Sequence, residues 1–227
     1  MMSRLRLPIA TALVAAVGVL PTWAGDPGEV VAPLLRAREA GALGEVRGQA
    51  WAEPARPGGP ELPDPSVSVL LLPYSVAFEA QLDAVKASQR DSLGDLSAAG
   101  SRVETARAGY ESALRFAGGG ELILGEVADQ QGRIRLTGVP AGDWLLLGWK
   151  EAGHSSTRFR MRSKDAKNFP DVPTGMGYTM MEYWRVRVTV RAGESTEVTL
   201  TDRNIWLTAL KEERRYPDQP APVPRRR

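Results

Sequence analysis

"DQQGRIRLTGVPAGDWLLLGWKE", residues 129–151, reads as two corners and two strands. Arg133, Arg135 and Thr137 alternate with Ile134 and Leu136, the period of two that marks a strand with one wet face. Asp129-Gln130-Gln131-Gly132 before it and Val139-Pro140-Ala141-Gly142 after it are turn chemistry. The glycines supply backbone freedom at both corners, and Pro140 fixes φ and preforms the second. In the strand that follows, Trp144, Leu146 and Gly148 face one way and Leu145, Leu147 and Trp149 the other, so this strand is expected to be central in its sheet.

Toward the N-terminus, "AGGGELILGEVAD" ends a helical region and starts a strand at 121–128. The helical region, 75–117, places Phe78, Leu82, Val85, Leu93, Leu96, Val103, Tyr110 and Leu114 three, four or multiples of those apart. As one straight helix it would run roughly 64 Å and carry the chain away from a sheet it must rejoin, so an antiparallel helical hairpin is expected. Ser92-Leu93-Gly94-Asp95, with Asp95 as an N-cap-like residue, is preferred to Ala99-Gly100-Ser101 as the reversal. Before the insert, "SVSVLLLP" at 66–73 is apolar enough for the middle of a sheet, and Val46, Gly48 and Ala50 alternate with polar neighbours. "EPARPGGPELPDP" breaks the chain between those two strands, and residues 29–40 form a short helix ended by Gly41.

Toward the C-terminus, residues 152–183 read as a long polar connection with Pro170, Pro173, Gly175 and Gly177, including a short strand around 157–161. Trp184, Val186, Val188 and Val190 alternate with polar residues, Ala192-Gly193-Glu194 reverses the chain, Val198 and Leu200 continue the inner face, and "NIWLTAL" closes the sheet. "RRYPDQPAPVPRRR" is proline-rich and basic, an expected disordered tail over 211–227 that could at most touch an anionic membrane surface peripherally.

Arg4 and Arg6 precede an uncharged run at 7–20, then Pro21 and the small-residue site Thr22-Trp23-Ala24. This is the layout of a secretory signal peptide, and a run shorter than the about 20 residues of a membrane span favours cleavage after Ala24 over a retained anchor. Removing residues 1–24 takes two arginines and no acid, leaving 27 basic against 27 acidic side chains. A neutral mature chain gives no electrostatic case for nucleic acid. With no cysteine, disulfides and a lipid-modified cysteine are excluded.

Seven or eight short strands with regular turns predict a mainly β fold, an antiparallel β-sandwich carrying an inserted α-helical hairpin. The punctuation resembles the carboxypeptidase regulatory-like domain, a transthyretin-like or Cna-B-like sandwich. The residues that carry the likeness are Val46-Arg47-Gly48, the strand at 66–72, Asp129-Gln130-Gln131-Gly132-Arg133-Ile134 and Val139-Pro140-Ala141-Gly142-Asp143-Trp144. It covers residues 43–210, with the 75–117 insert and the 152–183 connection as departures. The resemblance implies that the two corners frame a hairpin, and that the domain is structural, adhesive or accessory rather than catalytic. No zinc peptidase domain accompanies it here.

The chemistry agrees with that implication. His154, the single histidine, cannot build a multi-histidine metal site, and no Gly-x-Ser-x-Gly elbow accompanies it, so it is expected as an exposed loop residue. Gly118-Gly119-Gly120 has no Gly-Lys-Ser/Thr and reads as a helix stop rather than a phosphate cradle. Asp129 lacks the run of oxygen ligands that calcium needs, and no cofactor is indicated. Trp144, Trp149, Trp184 and Trp206 fall on strands as core residues. Met176, Tyr178, Met180, Met181 and Tyr183 at the end of the long connection form a candidate binding surface, or else cover an open edge of the sandwich. The chain is thus expected to be an exported, non-catalytic binding or scaffolding module of the bacterial envelope. Its partner would be another envelope protein, met through the 75–117 insert or the 152–183 loop. The alternative is a periplasmic carrier of a lipid or sugar.

Overall fold

The computed structural model describes residues 27–54, 59–89, 92–158 and 175–215. The expected signal peptide and most of the proline-rich tail lie outside the described residues. Two sheets pack face to face, and a helical hairpin covers the far side of the second. The first sheet contains β1 (Leu43–Ala52), β2 (Leu62–Pro63), β5 (Arg133–Pro140) and β8 (Ser195–Thr201), with β1 paired to all three others. The second runs β4 (Leu124–Val127), β3 (Ser68–Pro73), β6 (Gly142–Arg158), β7 (Gly175–Val190), β9 (Leu207–Arg215). The fold is the expected β-sandwich with a helical insert. One pair departs from the antiparallel rule: β1 and β8 run parallel, Glu45 opposite Ser195 through Trp51 opposite Thr201.

Alternation along the strands builds the core. Val46, Ala50, Ile134, Leu136, Val198 and Leu200 point inward from the first sheet, and Val69, Leu71, Trp144, Leu146, Trp184 and Val188 meet them from the second. Trp144 Nε1 donates to the Pro140 carbonyl at 2.9 Å and Trp184 Nε1 to Thr201 at 2.8 Å, so both buried indoles keep a partner. The opening stretch crosses between sheets twice, because β4 lies in the second, β5 in the first and β6 back in the second. This corrects the expected hairpin: β5 finds its ladder on β1, and both edges of β6 are taken by β3 and β7. At the first corner Gly132 has φ 72°, and a Cβ there would lie 2.3 Å from the Ala50 carbonyl oxygen. At the second, a Cβ on Gly142 would meet Leu34 of α1 (Pro27–Glu39) at 2.5 Å, which is how that helix seats on the corner.

The insert is a hairpin of α2 (Val76–Ser88) and α3 (Leu93–Phe116). Ser75 and Ser92 cap their N-termini by accepting from Phe78 N and Asp95 N. The reversal is where the glycine-aspartate signal placed it, but Ser92 is the cap and Asp95 lies inside the first turn. Phe78 stacks on Tyr110 with ring centroids 4.4 Å apart, and Arg102 reaches Ser88 Oγ at 2.8 Å, which fixes the antiparallel register. The hairpin packs on the sheet rather than projecting from it. Phe78, Leu82, Tyr110 and Leu114 join the main core, while Val85, Ala99 and Val103 cluster with Met181, Tyr183, Leu207 and Ala209. The runs Leu70-Leu71-Leu72 and Leu145-Leu146-Leu147 are continuous for this reason: each strand is buried on both faces.

Two expectations on the C-terminal side are corrected. Residues 152–158 and 175–183, expected within a loop, are the distal halves of β6 and β7, paired as far as Arg158 opposite Gly175. Of the strand expected at 157–161, residues 157–158 are the end of β6, and residues 159–174 fall outside the described residues. The closing strand also runs to Arg215, past the boundary expected at 210, because it pairs with the whole distal half of β7. Ladder hydrogen bonds, not burial, extend these strands, and a reading based on apolar alternation does not see them.

Candidate functional site

The five residues expected to form one surface are divided between two faces of β7. Met181 and Tyr183 point toward α3 and are buried, at 7% and 5% exposure. Met176, Tyr178 and Met180 have the opposite parity, and Met180 is 38% exposed. Tyr178 Oη donates to Met176 Sδ at 2.8 Å, so these two do touch. His154 lies on β6, not on a loop, and its Nδ1 is 3.0 Å from Thr179 Oγ1. It is exposed, as expected.

The face that holds Met181 and Tyr183 contains a groove of about 700 Å³. Its floor is Trp149, Met181 and Tyr183, adjacent on β6 and β7 because Trp149 pairs with Tyr183. One side is the start of β3 at Ser68 with Ser66 in the turn before it; the other is α3 with Ser97, Ser101 and Glu104. The spacing of Ser97, Ser101 and Glu104 is i, i+4, i+7, so one helical stripe faces the groove while Ala99 and Val103 are buried beside it. A Cβ on Gly100 would lie 2.9 Å from the Leu210 carbonyl oxygen, a sign of how closely α3 approaches β9 at the rim. Glu151, Lys211 and Glu212 complete that rim.

The carboxylates Glu104 and Glu212 at the groove are each held by an arginine. Arg107, which lies outside the lining, holds Glu104 at 2.7 Å and Glu111 at 2.5 Å, and its guanidinium is 5.4 Å from the Trp149 ring centroid. Arg214 pairs with Glu212 at 2.5 Å. Burial and the neighbouring Glu104 carboxylate push the Tyr183 hydroxyl above its ordinary range, so it stays neutral and a donor.

Beneath the groove, on the inner face, Lys150 is 8% exposed and sits among three carboxylates. Its Nζ is 3.0 Å from Asp64, 3.1 Å from Glu182 and 2.9 Å from Asp202. Asp64 also accepts from Ser66 N and Oγ, and Asp202 accepts from Glu53 N at 2.6 Å. Burial alone would lower the ammonium's pKa, but bonds to Asp202, Asp64 and Glu182 outweigh it and raise it. Burial would likewise raise Asp64 and Asp202, yet their hydrogen bonds and Lys150 hold both below the usual carboxylate value. The cluster joins the two sheets where β8 ends, and no sequence signal marks it because its four members are scattered from 64 to 202.

No known family's sequence profile matches the chain, and no curated protein does. Among solved structures it is similar to a candidate carbohydrate-binding protein of Pseudomonas aeruginosa, at 17% identity over 70% of this chain and 88% of that one, with a TM-score of 0.37. It is also similar to a minor pilin of Streptococcus agalactiae, at 12% identity over 82% of this chain, with a TM-score of 0.31. The match spans 49% of that pilin. At these scores the likenesses carry no argument about function. Among the described residues, no helix is long and apolar enough to cross a membrane.

Proposed function

We propose that the chain is an exported, non-catalytic binding module of the cell envelope, built on a carboxypeptidase regulatory-like sandwich, that takes its ligand in the groove between α3 and the second sheet. The groove itself carries the reading: an aromatic floor with hydroxyl-bearing walls, of a size typical for ligand sites, held on rigid elements. The signal-peptide layout of residues 1–24 supports export. Support for a binding rather than a catalytic role comes from the carboxylates, since Glu104 and Glu212 are each engaged by an arginine and His154 by a threonine. A partner that uses the 75–117 insert must meet its outward side, because the inward side is core.

A second reading, a carrier of a small lipid or sugar, is favoured by one fact: Met181 and Tyr183 of the segment expected to bind lie in this groove. Native mass spectrometry of the chain after exposure to the small-molecule and glycan fraction of an envelope extract tests both. Adducts held by the wild type and lost by a groove-filling Ser97→Arg/Ser101→Arg variant support a groove ligand. Adducts unchanged by that variant, or absent from both proteins, overturn it.

A further inference from the structure

Resting on the groove as the binding site, we infer that its ligand is an oligosaccharide. Ser68 lines the groove from β3 and Ser97 and Ser101 line it from α3, and no side-chain hydrogen bond ties up their hydroxyls among the described residues. Each is both donor and acceptor, so together they complement a molecule that carries many hydroxyls in fixed directions. Covering them with a hydrocarbon tail would strand three polar groups, which is costly.

The floor supplies the other half of the match. Trp149 is half-buried with Arg107 against its ring on a side outside the groove lining, so the indole is held in place while part of it remains open to a ligand. A pyranose ring has an apolar face of C–H groups and a polar rim, which is the order of apolar floor and hydroxyl walls found here. Lys211 at the rim has no carboxylate partner among the described residues and can donate to a sugar hydroxyl or a uronic carboxylate. An extended peptide is disfavoured by the backbone: at the floor, Trp149 is already laddered to Ser68 and Tyr183, and Tyr183 to Leu207, and beside the edge strand β9 the Thr208 carbonyl accepts from Gln89 while α3 lies against Leu210.

The test is a glycan array probed with the purified chain, followed by amide and indole NMR titration with any hit and, separately, with palmitate. Expected is a hit that shifts the Trp149 indole and the Ser97 and Ser101 amides. Its affinity should fall about tenfold in a Ser97→Ala/Ser101→Ala variant, consistent with losing two modest hydrogen bonds. Alanine is the best helix former, so this variant keeps the fold, whereas Trp149→Ala removes a partly buried aromatic packed against the core. Palmitate shifting the groove while the array stays blank overturns the oligosaccharide and leaves the binding groove standing as a lipid site. A blank array with no groove shift by palmitate overturns both. A glycan hit that shifts residues outside the groove, or keeps its affinity in the alanine variant, overturns the site.

Discussion

β6 and β7 form one antiparallel ladder interrupted by a bulge between Glu151 and Gly153, and the halves on either side of it are physically different. From Gly142 to Trp149, opposite Tyr183 to Val190, the pair lies between the first sheet and the helical hairpin, and Trp144, Leu145 and Leu146 are fully buried. From Glu151 to Arg158, opposite Gly175 to Met181, it runs past the end of both β3 and β8, and Glu151, His154 and Ser155 are exposed. Both halves are laddered, one on each side of the bulge, but the exposure of β6 differs between them. A strand can therefore be continued by its ladder well beyond the layers that stabilise it, and such an extension is where side chains become free to do something other than pack. Lys150 stands at the seam, and its substitution should have the largest effect.

Lys150→Ala removes the cation shared by Asp64, Glu182 and Asp202 and leaves three carboxylates crowded in a partly dry site. Loss of one partner from a buried ion cluster costs about 3–5 kcal/mol. Urea unfolding at pH 7 checks this, and a cost under about 1 kcal/mol would show the cluster to be well hydrated. The pH dependence has a definite sign. Asp64 and Asp202 are depressed in the folded state, so their contribution is present above the unfolded value of about 4 and is lost as pH falls below it. Lys150 is raised, so its contribution is complete below about 10.4 and disappears only as pH rises through its higher folded value. The wild type should lose stability steeply below about pH 4, and Lys150→Ala should flatten that acid limb.

Within the proximal half, Leu146 faces the first sheet and Leu147 faces the hairpin. If the hairpin is as much a core layer as the opposing sheet, Leu146→Ala and Leu147→Ala should cost similar amounts, about 2–5 kcal/mol each. A Leu147→Ala cost below about 1 kcal/mol, measured by the same unfolding, would show that α2 and α3 lift away in solution.

The proximal half was legible in the sequence for the reason these leucines matter. Three leucines in a row have no wet face, and the alternation around Trp144 and Trp184 gave the strands, their central place and most of the core. The hairpin was legible from its three-and-four spacing, and its reversal from Ser92-Leu93-Gly94-Asp95. The distal half was not, since Gly153, Ser155, Gly177 and Thr179 have no periodic apolar signal and the glycines read as loop. The groove was missed for a related reason: it joins Ser68, Ser97, Trp149 and Tyr183 from four elements, and of its lining only Met181 and Tyr183 read as binding residues, with Trp149 read as core. Methionines grouped by sequence position at 176–181 were separated by the pleat, which sends neighbours to opposite faces.

Tyr110 sharpens the comparison on the hairpin side at smaller cost. Its hydroxyl donates to the Pro73 carbonyl at 2.8 Å in a buried position, and burial holds its pKa above the ordinary tyrosine value. Tyr110→Phe keeps the stack on Phe78 but leaves that carbonyl without its side-chain donor, for an expected loss of about 1 kcal/mol. Tyr110→Ala should cost about 3–5 kcal/mol, close to a core aromatic truncation, and the difference between the two separates hydrogen bond from packing.

The smallest effect belongs to the distal half. Met180 is 38% exposed on the face that neither the hairpin nor the first sheet covers, so Met180→Ser should change stability by no more than about 0.5 kcal/mol. Amide hydrogen exchange gives the matching readout. The amides of Leu145 and Leu147 should exchange only at the free energy of global unfolding, whereas those of His154 and Ser155, exposed beyond the bulge, should open locally at a lower cost although they too are laddered to β7. Equal protection along the whole of β6 and β7 would mean that residues beyond the seam are stabilised by a layer other than the two sheets and the hairpin. Met180→Ser would then become destabilising by about 1–2 kcal/mol, as expected for a covered methionine rather than an exposed one.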